Sequence, residues 1–219
     1  MEMNYKNIIE IVRKKLENAH NPKISKIRTK FFTKEYNFFK NHIKNKNVLV
    51  AGSGLGHDSI ALAKHNKKVV GIELIKQYIE IANYRSKILG LKNIYFERGD
   101  FRKLKYPNKS FDIAVLNMGT IGDFKNKKEV LNELLRVAKK VYFDFYPPTE
   151  NGLNKRKKMY EEEGWNNVQI KNYALVSKDG LYSKSISKEE INKVVKDIKA
   201  KAKCYNFCDF STMAEVMKC

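Results

Sequence analysis

The sequence predicts an α/β protein with a doubly wound sheet, its two faces covered by helices. Three observations predict it. From Asn47 onward, short apolar runs alternate with segments of helical periodicity, the β-α-β rhythm of such sheets. The first run, Val48-Leu49-Val50-Ala51, passes directly into Gly52-Ser53-Gly54-Leu55-Gly56 and then into a helical pattern. The second run ends on an acid, Glu73, placed 21 residues after Gly52.

The elements follow in order. Tyr5, Ile8, Ile9, Val12 and Leu16 fall at helical spacing and form one apolar stripe. Asn21-Pro22 ends it, because proline lacks a donor and restricts the residue before it. A second helix, about residues 29–43, carries Phe31, Phe32, Tyr36, Phe38 and Phe39. Residues 1–45 therefore read as a helical arm, and residues 46–219 as the main domain. Residues 47–51 make a buried parallel strand. A helix over 58–64 and a strand over 68–73 come next. Ile75, Tyr78, Ile79 and Ala82 line a helix face, and residues 93–97 and 111–117 are strands. Val130, Leu131, Leu134, Leu135 and Ala138 mark a further helix, followed by a strand over 141–146.

Beyond Pro147-Pro148 a helix runs to Glu163. Residues 168–177 and 181–185 are expected to pair as one hairpin around Asp179-Gly180, a turn dipeptide that leaves the register open. Ser187 caps a helix with acids in its first turn, and Ile191, Val194, Val195 and Ile198 give it a buried stripe. Residues 202–207 and 213–218 close the sheet as an antiparallel edge pair. No internal repeat is present.

Composition narrows the function classes. With 42% apolar and 31% charged residues in 219, the chain has the makeup of a folded domain rather than a disordered one. No apolar run approaches the roughly 18 residues of a membrane-spanning helix, and the start lacks the pattern of a signal peptide. A cytoplasmic protein with no membrane partner is expected. Cys204, Cys208 and Cys219 are odd in number and crowded at one end, which suits neither a disulfide framework nor a zinc site. The net charge of +20 invites a nucleic-acid reading. Yet the basic residues are 37 Lys and 7 Arg, whereas Arg is the better residue for bidentate phosphate and base contacts. The excess is spread, at +8 over residues 1–46, +8 over 47–146 and +4 over 147–219. A solvated cationic surface is the simpler reading, with RNA as a second partner class.

The chemistry concentrates at three strand ends. Glycines at alternate positions 52, 54 and 56 let backbone approach a ligand that a Cβ would block. The helix start behind them offers amides to an anion. A dinucleotide fingerprint would need glycine where this chain has His57. Glu73 is placed to accept two hydrogen bonds from a ribose diol. Gly99-Asp100-Phe101 follows the third strand, where the carboxylate can accept from an adenine amino group and the aromatic can pack on the ring. Three such stations form one crevice at the carboxyl ends of the strands.

That constellation resembles the class I S-adenosylmethionine-dependent methyltransferases over about residues 45–219. Its motif order matches: Gly52, Gly54 and Gly56, then Glu73, then Gly99-Asp100, then Phe111-Asp112-Ile113-Ala114-Val115-Leu116-Asn117. The resemblance implies a Rossmann-like seven-stranded sheet whose last strand is antiparallel, and S-adenosyl-L-methionine as cofactor. The expected cofactor-binding set is Ala51, Gly52, Ser53, Gly54, Gly56, Glu73, Leu74, Asp100, Phe101 and Asn117. One position departs from the family: the acid usual two residues before the first loop glycine is Val50 here.

Substrate selection is expected from Phe31, Phe32 and Tyr36 in the arm, from the segment 117–123 including Gly119 and Thr120, from Tyr146, and from residues 156–160 including Tyr160. The Asn/Asp-Pro-Pro-aromatic motif of base-amine methyltransferases is missing after the fourth strand, where Asn117-Met118-Gly119-Thr120 stands. Asp144-Phe145-Tyr146-Pro147-Pro148 follows the fifth strand and runs in the wrong order. His57 reads as loop support rather than a general base, and no catalytic residue is named. Methyl transfer to a small-molecule acceptor is the leading expectation. The alternatives are an RNA methyltransferase using the basic arm and a binding protein without turnover. The arm, lying just before the first strand, is expected to act as a lid.

Overall fold

The computed structural model describes residues 5–219, with side chains from Ile9 onward, so Tyr5 and Ile8 of the arm stripe lie outside the described side chains. Seven α-helices and ten β-strands are described: α1 (Tyr5–Ala19), α2 (Lys26–His42), β1 (Asn47–Ala51), α3 (His57–Ala63), β2 (Lys68–Glu73), α4 (Lys76–Ile88), β3 (Ile94–Arg98), β4 (Phe111–Leu116), α5 (Lys127–Val137), β5 (Ala138–Phe145), α6 (Glu150–Glu162), β6 (Gln169–Lys171), β7 (Ala174–Val176), β8 (Tyr182–Lys184), α7 (Lys188–Asp197), β9 (Ala200–Cys208) and β10 (Ser211–Lys218).

The main sheet has the order β3-β2-β1-β4-β5-β10-β9. Strands β1 to β5 are parallel, and β10 runs antiparallel to both β5 and β9. The central strand β1 aligns Val48 with Val69 on one side and with Ile113 on the other. It is covered on both faces, which explains its unbroken apolar run instead of an alternating one. The strand order reverses between β1 and β4, and open α/β sheets form their ligand crevice at such a switch point.

One face is packed by α5 and α7 through Leu131, Leu135, Ile191 and Val195. The other is packed by α2, α3 and α4, with Phe38, Phe39, Leu62 and Ala82 against Val48, Val50 and Val115. The helix α2 is thus built into the core. Each of its buried phenylalanines would cost about 3–5 kcal/mol to truncate to alanine. A third apolar cluster joins Phe31 and Phe32 of α2 to Tyr146, Tyr160, Trp165 and Leu181. The Ser187 hydroxyl accepts from Glu190 N–H at 3.1 Å, the N-cap bond expected for α7 and worth about 1 kcal/mol.

The hairpin expectation needs correction. Residues 168–177 do not form one strand. They form the hairpin β6–β7, and β8 pairs with β7, giving a separate three-stranded sheet. Asn172 and Tyr173 both take positive φ, 47° and 59°, the geometry of a two-residue hairpin turn. Asn172 favours positive φ but Tyr173 rarely takes it, so the pair carried only a weak turn signal. Among the described residues no helix is long and apolar enough to cross a membrane.

Candidate active site

A cavity of about 330 Å³ opens at the carboxyl ends of β1 and β4. Its floor is Val50, Ala51, Gly52, Ser53, Gly54 and Leu55, and its sides include Glu73, Asp58, Asn117, Met118 and Thr120. Val12 and Leu16 of α1, and His20 just after it, form the opposite wall. Four of the expected cofactor residues beside Glu73 and Asn117 therefore share one surface: Ala51, Gly52, Ser53 and Gly54.

The glycine loop is held from below. Ser53 N–H donates to Ile72 O at 2.9 Å, and Gly56 N–H donates to Ser53 O at 2.9 Å. Gly54 has φ +51°, and a Cβ there would point into open space. That side of its backbone is therefore open to a ligand. Gly56 has φ +85°, and a Cβ there would lie 2.8 Å from Ala82 Cβ and 2.9 Å from Phe96 Cζ. That glycine allows the close packing of α3 on α4 and β3.

Glu73 braces the same loop. One carboxylate oxygen accepts from Gly54 N–H at 2.9 Å, and the other accepts from Leu74 N–H at 2.7 Å and Ile75 N–H at 3.0 Å. An ionised carboxylate has about four acceptor directions, so three are used before any ligand arrives. Leu74 itself is exposed, and neither it nor Gly56, Asp100 or Phe101 lines the cavity. Asp100 is tied to Arg102 through paired contacts of 2.5 and 3.0 Å, and the charge-assisted bonds hold its carboxyl below the usual range. Phe101 packs edge-on against Phe124 at 5.5 Å within the core.

After β4 the chain turns through two left-handed residues, Met118 at φ 61° and Gly119 at φ 67°. A non-glycine residue in this region costs about 1–3 kcal/mol, and such strain persists only where neighbours fix it. Here they do. Gly119 N–H donates to Asp144 Oδ1 at 2.8 Å, and Thr120 Oγ1 donates to Asn117 O at 2.5 Å. The strained turn aims the Asn117 side chain at Asp58, where Nδ2 donates to Oδ2 at 2.9 Å. Of the substrate candidates, Thr120 reaches the cavity and Gly119 lies beneath it against the Tyr146 ring. Phe32, Tyr36, Tyr146 and Tyr160 stand behind it, with Tyr146 fully buried and Tyr160 donating to Ser183 Oγ at 3.0 Å.

Sequence reasoning did not single out Asp58, Glu35 or Arg28. Glu35 and Arg28 are fully buried and Asp58 is half-buried beside the candidates. Burial, reinforced by the Asp58 and Asp144 charges, holds the Glu35 carboxyl well above its ordinary range. Burial also raises Asp58, which the Asn117 and Tyr36 side chains partly offset. The only advance signal for Asp58 was an acid in the first turn of α3, which ordinary helix capping explains equally well. His57 is stacked on His20 at 3.4 Å and accepts from Arg85 Nη1 at 2.5 Å through Nε2, consistent with loop support.

The residues present suit a nucleoside cofactor carrying an amino-acid tail. Gly54 leaves a cradle that a side chain would enter. Ser53 Oγ and Asn117 Oδ1 are buried with no hydrogen-bond partner among the described residues. Buried polar groups are normally paired, and a ligand with hydroxyl and amine donors completes these. Val50, the departure from the family pattern, lines the cavity floor and packs in the core beneath it.

Residues 42–144 match the family described as a methyltransferase domain. The uncharacterized methyltransferase YcgJ of Bacillus subtilis is 27% identical over 111 residues, which span 49% of this chain and 44% of that protein. The matched stretches thus cover less than half of the first such relatives' own length. The crystal structure of the PH0226 protein from Pyrococcus horikoshii superposes with a TM-score of 0.71 at 21% identity, over 91% of this chain and 97% of that one. A SAM-dependent methyltransferase structure from Aquifex aeolicus gives 0.64 at 17% identity, with both chains fully covered. Shorter matches include proteins named as RNA methyltransferases and as protein-L-isoaspartate O-methyltransferases. Residues 42–144 thus match the methyltransferase-domain family, and sheet order and motif order support a class I S-adenosylmethionine-dependent methyltransferase.

Proposed function

We propose that the chain methylates a small-molecule acceptor, and that the arm covers the reaction. The observation that supports this most is the cavity itself, walled on one side by the glycine loop and on the other by α1. The cover is anchored at several points. Tyr78 Oη donates to Ile9 O at 3.0 Å, Asn18 Nδ2 donates to Glu163 O at 2.9 Å, and Lys15 Nζ reaches Gly164 O. The α1 wall narrows access to this cavity, which suits a metabolite better than a structured RNA.

The cofactor-binding residues would be the Gly52, Ser53 and Gly54 backbone, Glu73 toward the ribose, and Asn117 near the reacting end. When bound, S-adenosylmethionine supplies an electrophilic methyl group on a sulfonium. The chain's own contribution is to position the acceptor and exclude water. Holding two reactants in near-attack geometry is worth roughly 7–11 kcal/mol, so no dedicated base is required. Asp144 would act at one remove, through the Gly119 amide, by keeping the strained turn that presents Asn117.

Two measurements test this. Calorimetry on the full chain should show binding of S-adenosylmethionine and S-adenosylhomocysteine, with NAD far weaker. A labelled-methyl assay on fractions from the source cell should then place label in small molecules. Equal affinity for NAD would overturn the cofactor assignment. Label in RNA alone would turn the acceptor reading toward the basic arm, and binding with no transfer to any fraction would favour a protein that has lost turnover.

A further inference from the structure

Several of the buried polar atoms that lack partners belong to residues around Asp58 and Asn117. Glu35 is 0% exposed, and neither of its carboxylate oxygens has a hydrogen-bond partner among the described residues. Arg28 and Arg156 are also 0% exposed, with Arg28 Nη2 and Arg156 Nε left without partners. Arg28 is held by Glu163 at 2.8 Å. Arg156 forms no ion pair among the described residues, and donates instead to Ser183 Oγ at 3.2 Å and Ser185 Oγ at 2.7 Å. Tyr146 links the two cations: its ring lies 4.3 Å from the Arg156 guanidinium, and its hydroxyl is 3.4 Å from Arg28 Nη1.

This pattern is costly as it stands. Each buried ion carries a desolvation penalty of several kcal/mol, returned only when its remaining valences are filled. Here unfilled acceptors and unfilled donors lie in one buried enclosure of side chains, in which the Asp58 and Arg28 charges act on Glu35 and the Arg28 charge acts on Arg156. A cation alone would leave the guanidinium donors unmet, and an anion alone would leave Glu35 unmet. A molecule bearing both signs meets both. The enclosure also borders the glycine-loop cavity, because Asp58, Asn117 and Met118 line that cavity while Met118 packs with Tyr146 and Tyr160.

We infer that this enclosure is the acceptor site, and that the acceptor is a small zwitterion of the amino-acid type. Its amine faces Glu35 and Asp58, and its carboxylate faces Arg28 and Arg156. This rests on the methyltransferase reading above. Methylation at that amine forms one N–C bond and breaks one S–C bond, whose electron pair remains on sulfur. The bound ammonium keeps Glu35 or Asp58 ionised, and that carboxylate takes the ammonium proton before the nitrogen lone pair attacks the methyl group. His20, stacked between Phe32 and His57 at 4.2 and 3.4 Å, closes the enclosure on the arm side, so the acceptor is admitted when the arm lifts.

The test uses the full chain saturated with S-adenosylhomocysteine, titrated in a calorimeter with three matched probe sets. These are the twenty proteinogenic amino acids, the corresponding amines without the carboxylate, and the corresponding acids without the amine. At least one amino acid should bind about tenfold or more tighter than both of its truncated counterparts, the scale of leaving buried polar groups unpaired. Glu35→Gln should weaken that amino acid about tenfold, and Arg156→Met should narrow its advantage over the amine, both keeping S-adenosylhomocysteine affinity within about twofold. If S-adenosylhomocysteine binds and no amino acid exceeds its counterparts, the inference is overturned and the enclosure is a hydrated structural network. If S-adenosylhomocysteine itself does not bind, the methyltransferase reading fails first. Should either variant misfold, the comparison of probes on the unaltered chain still decides.

Discussion

Glu73 shows how one side chain serves a loop and a ligand together. Its carboxylate carries the amides of Gly54, Leu74 and Ile75, and it faces the cavity. Glu73→Ala should weaken S-adenosylmethionine binding by about 1–3 kcal/mol, the range for losing hydrogen bonds to a charged group. Glu73→Gln, which keeps an acceptor for Gly54, should lose less. Calorimetry on both variants checks this, and unchanged affinity in the alanine variant would remove Glu73 from the cofactor site. Glu73 was legible in the sequence because its strand end and its distance from Gly52 are both fixed by the chain. Glu35 and Arg28 were not. They lie on a helix whose aromatic pattern drew the eye, and only the fold shows that the two charges are turned inward among Phe31, Phe32 and Tyr146.

At the scale of elements, the junction of α1 and α2 is pinned to the glycine loop by two imidazoles. The rings of His20 and His57 stack with an interplanar angle of 7°. Burial, then the Arg85 charge, depresses His57 to about 3, and burial with the neighbouring His57, Arg28 and Arg85 charges depresses His20 further. Both are neutral in the folded chain, while the unfolded chain protonates them near pH 6.5. The unfolded state therefore binds more protons below that pH. Stability from the neutral pair is complete above pH 6.5 and is lost as pH falls toward 3, at up to about 1.4 kcal/mol per pH unit for each group. His20→Phe keeps a stacked ring and removes one titration. Between pH 7.5 and 5.5 its urea midpoint should fall less than that of the unaltered chain. Identical pH dependence would show that His20 is protonated or exposed in the folded protein. The buried acids titrate in both chains and cancel in the comparison.

For the molecule as a whole, the arm and the body differ in how they are held. The aromatic residues of α2 are part of the sheet's packing, while α1 is attached mainly through polar contacts at Ile9, Lys15 and Asn18 and by the stripe that meets the cavity. If α1 is a lid, ligand binding should order it. Hydrogen exchange of the amides from Ile9 to Ala19 should slow when S-adenosylhomocysteine is added, while the central strands change little. Exchange in α1 that is indifferent to ligand would make it a fixed wall. The +20 charge does not alter this expectation, since it is dispersed along the chain and not gathered on the arm alone.

The sequence by itself determined the alternation of strands and helices, the glycine loop, the acid at the end of β2 and the order of the motifs. Each of these is a local matter, because periodicity, glycine conformation and strand-end position are set by neighbours in the chain. It did not determine the extra turn at Asn172-Tyr173, the separate roles of Gly54 and Gly56, or the withdrawal of Asp100 into an ion pair with Arg102. Nor did it show the enclosure built from Arg28 and Glu35 on α2, Asp58 on α3, Tyr146 after β5 and Arg156 on α6. Those residues are far apart in sequence, and their charges acquire meaning only after the fold removes them from water. Burial is a property of the whole packed chain, and so only the tertiary structure decided which charges face solvent and which are left to face a ligand.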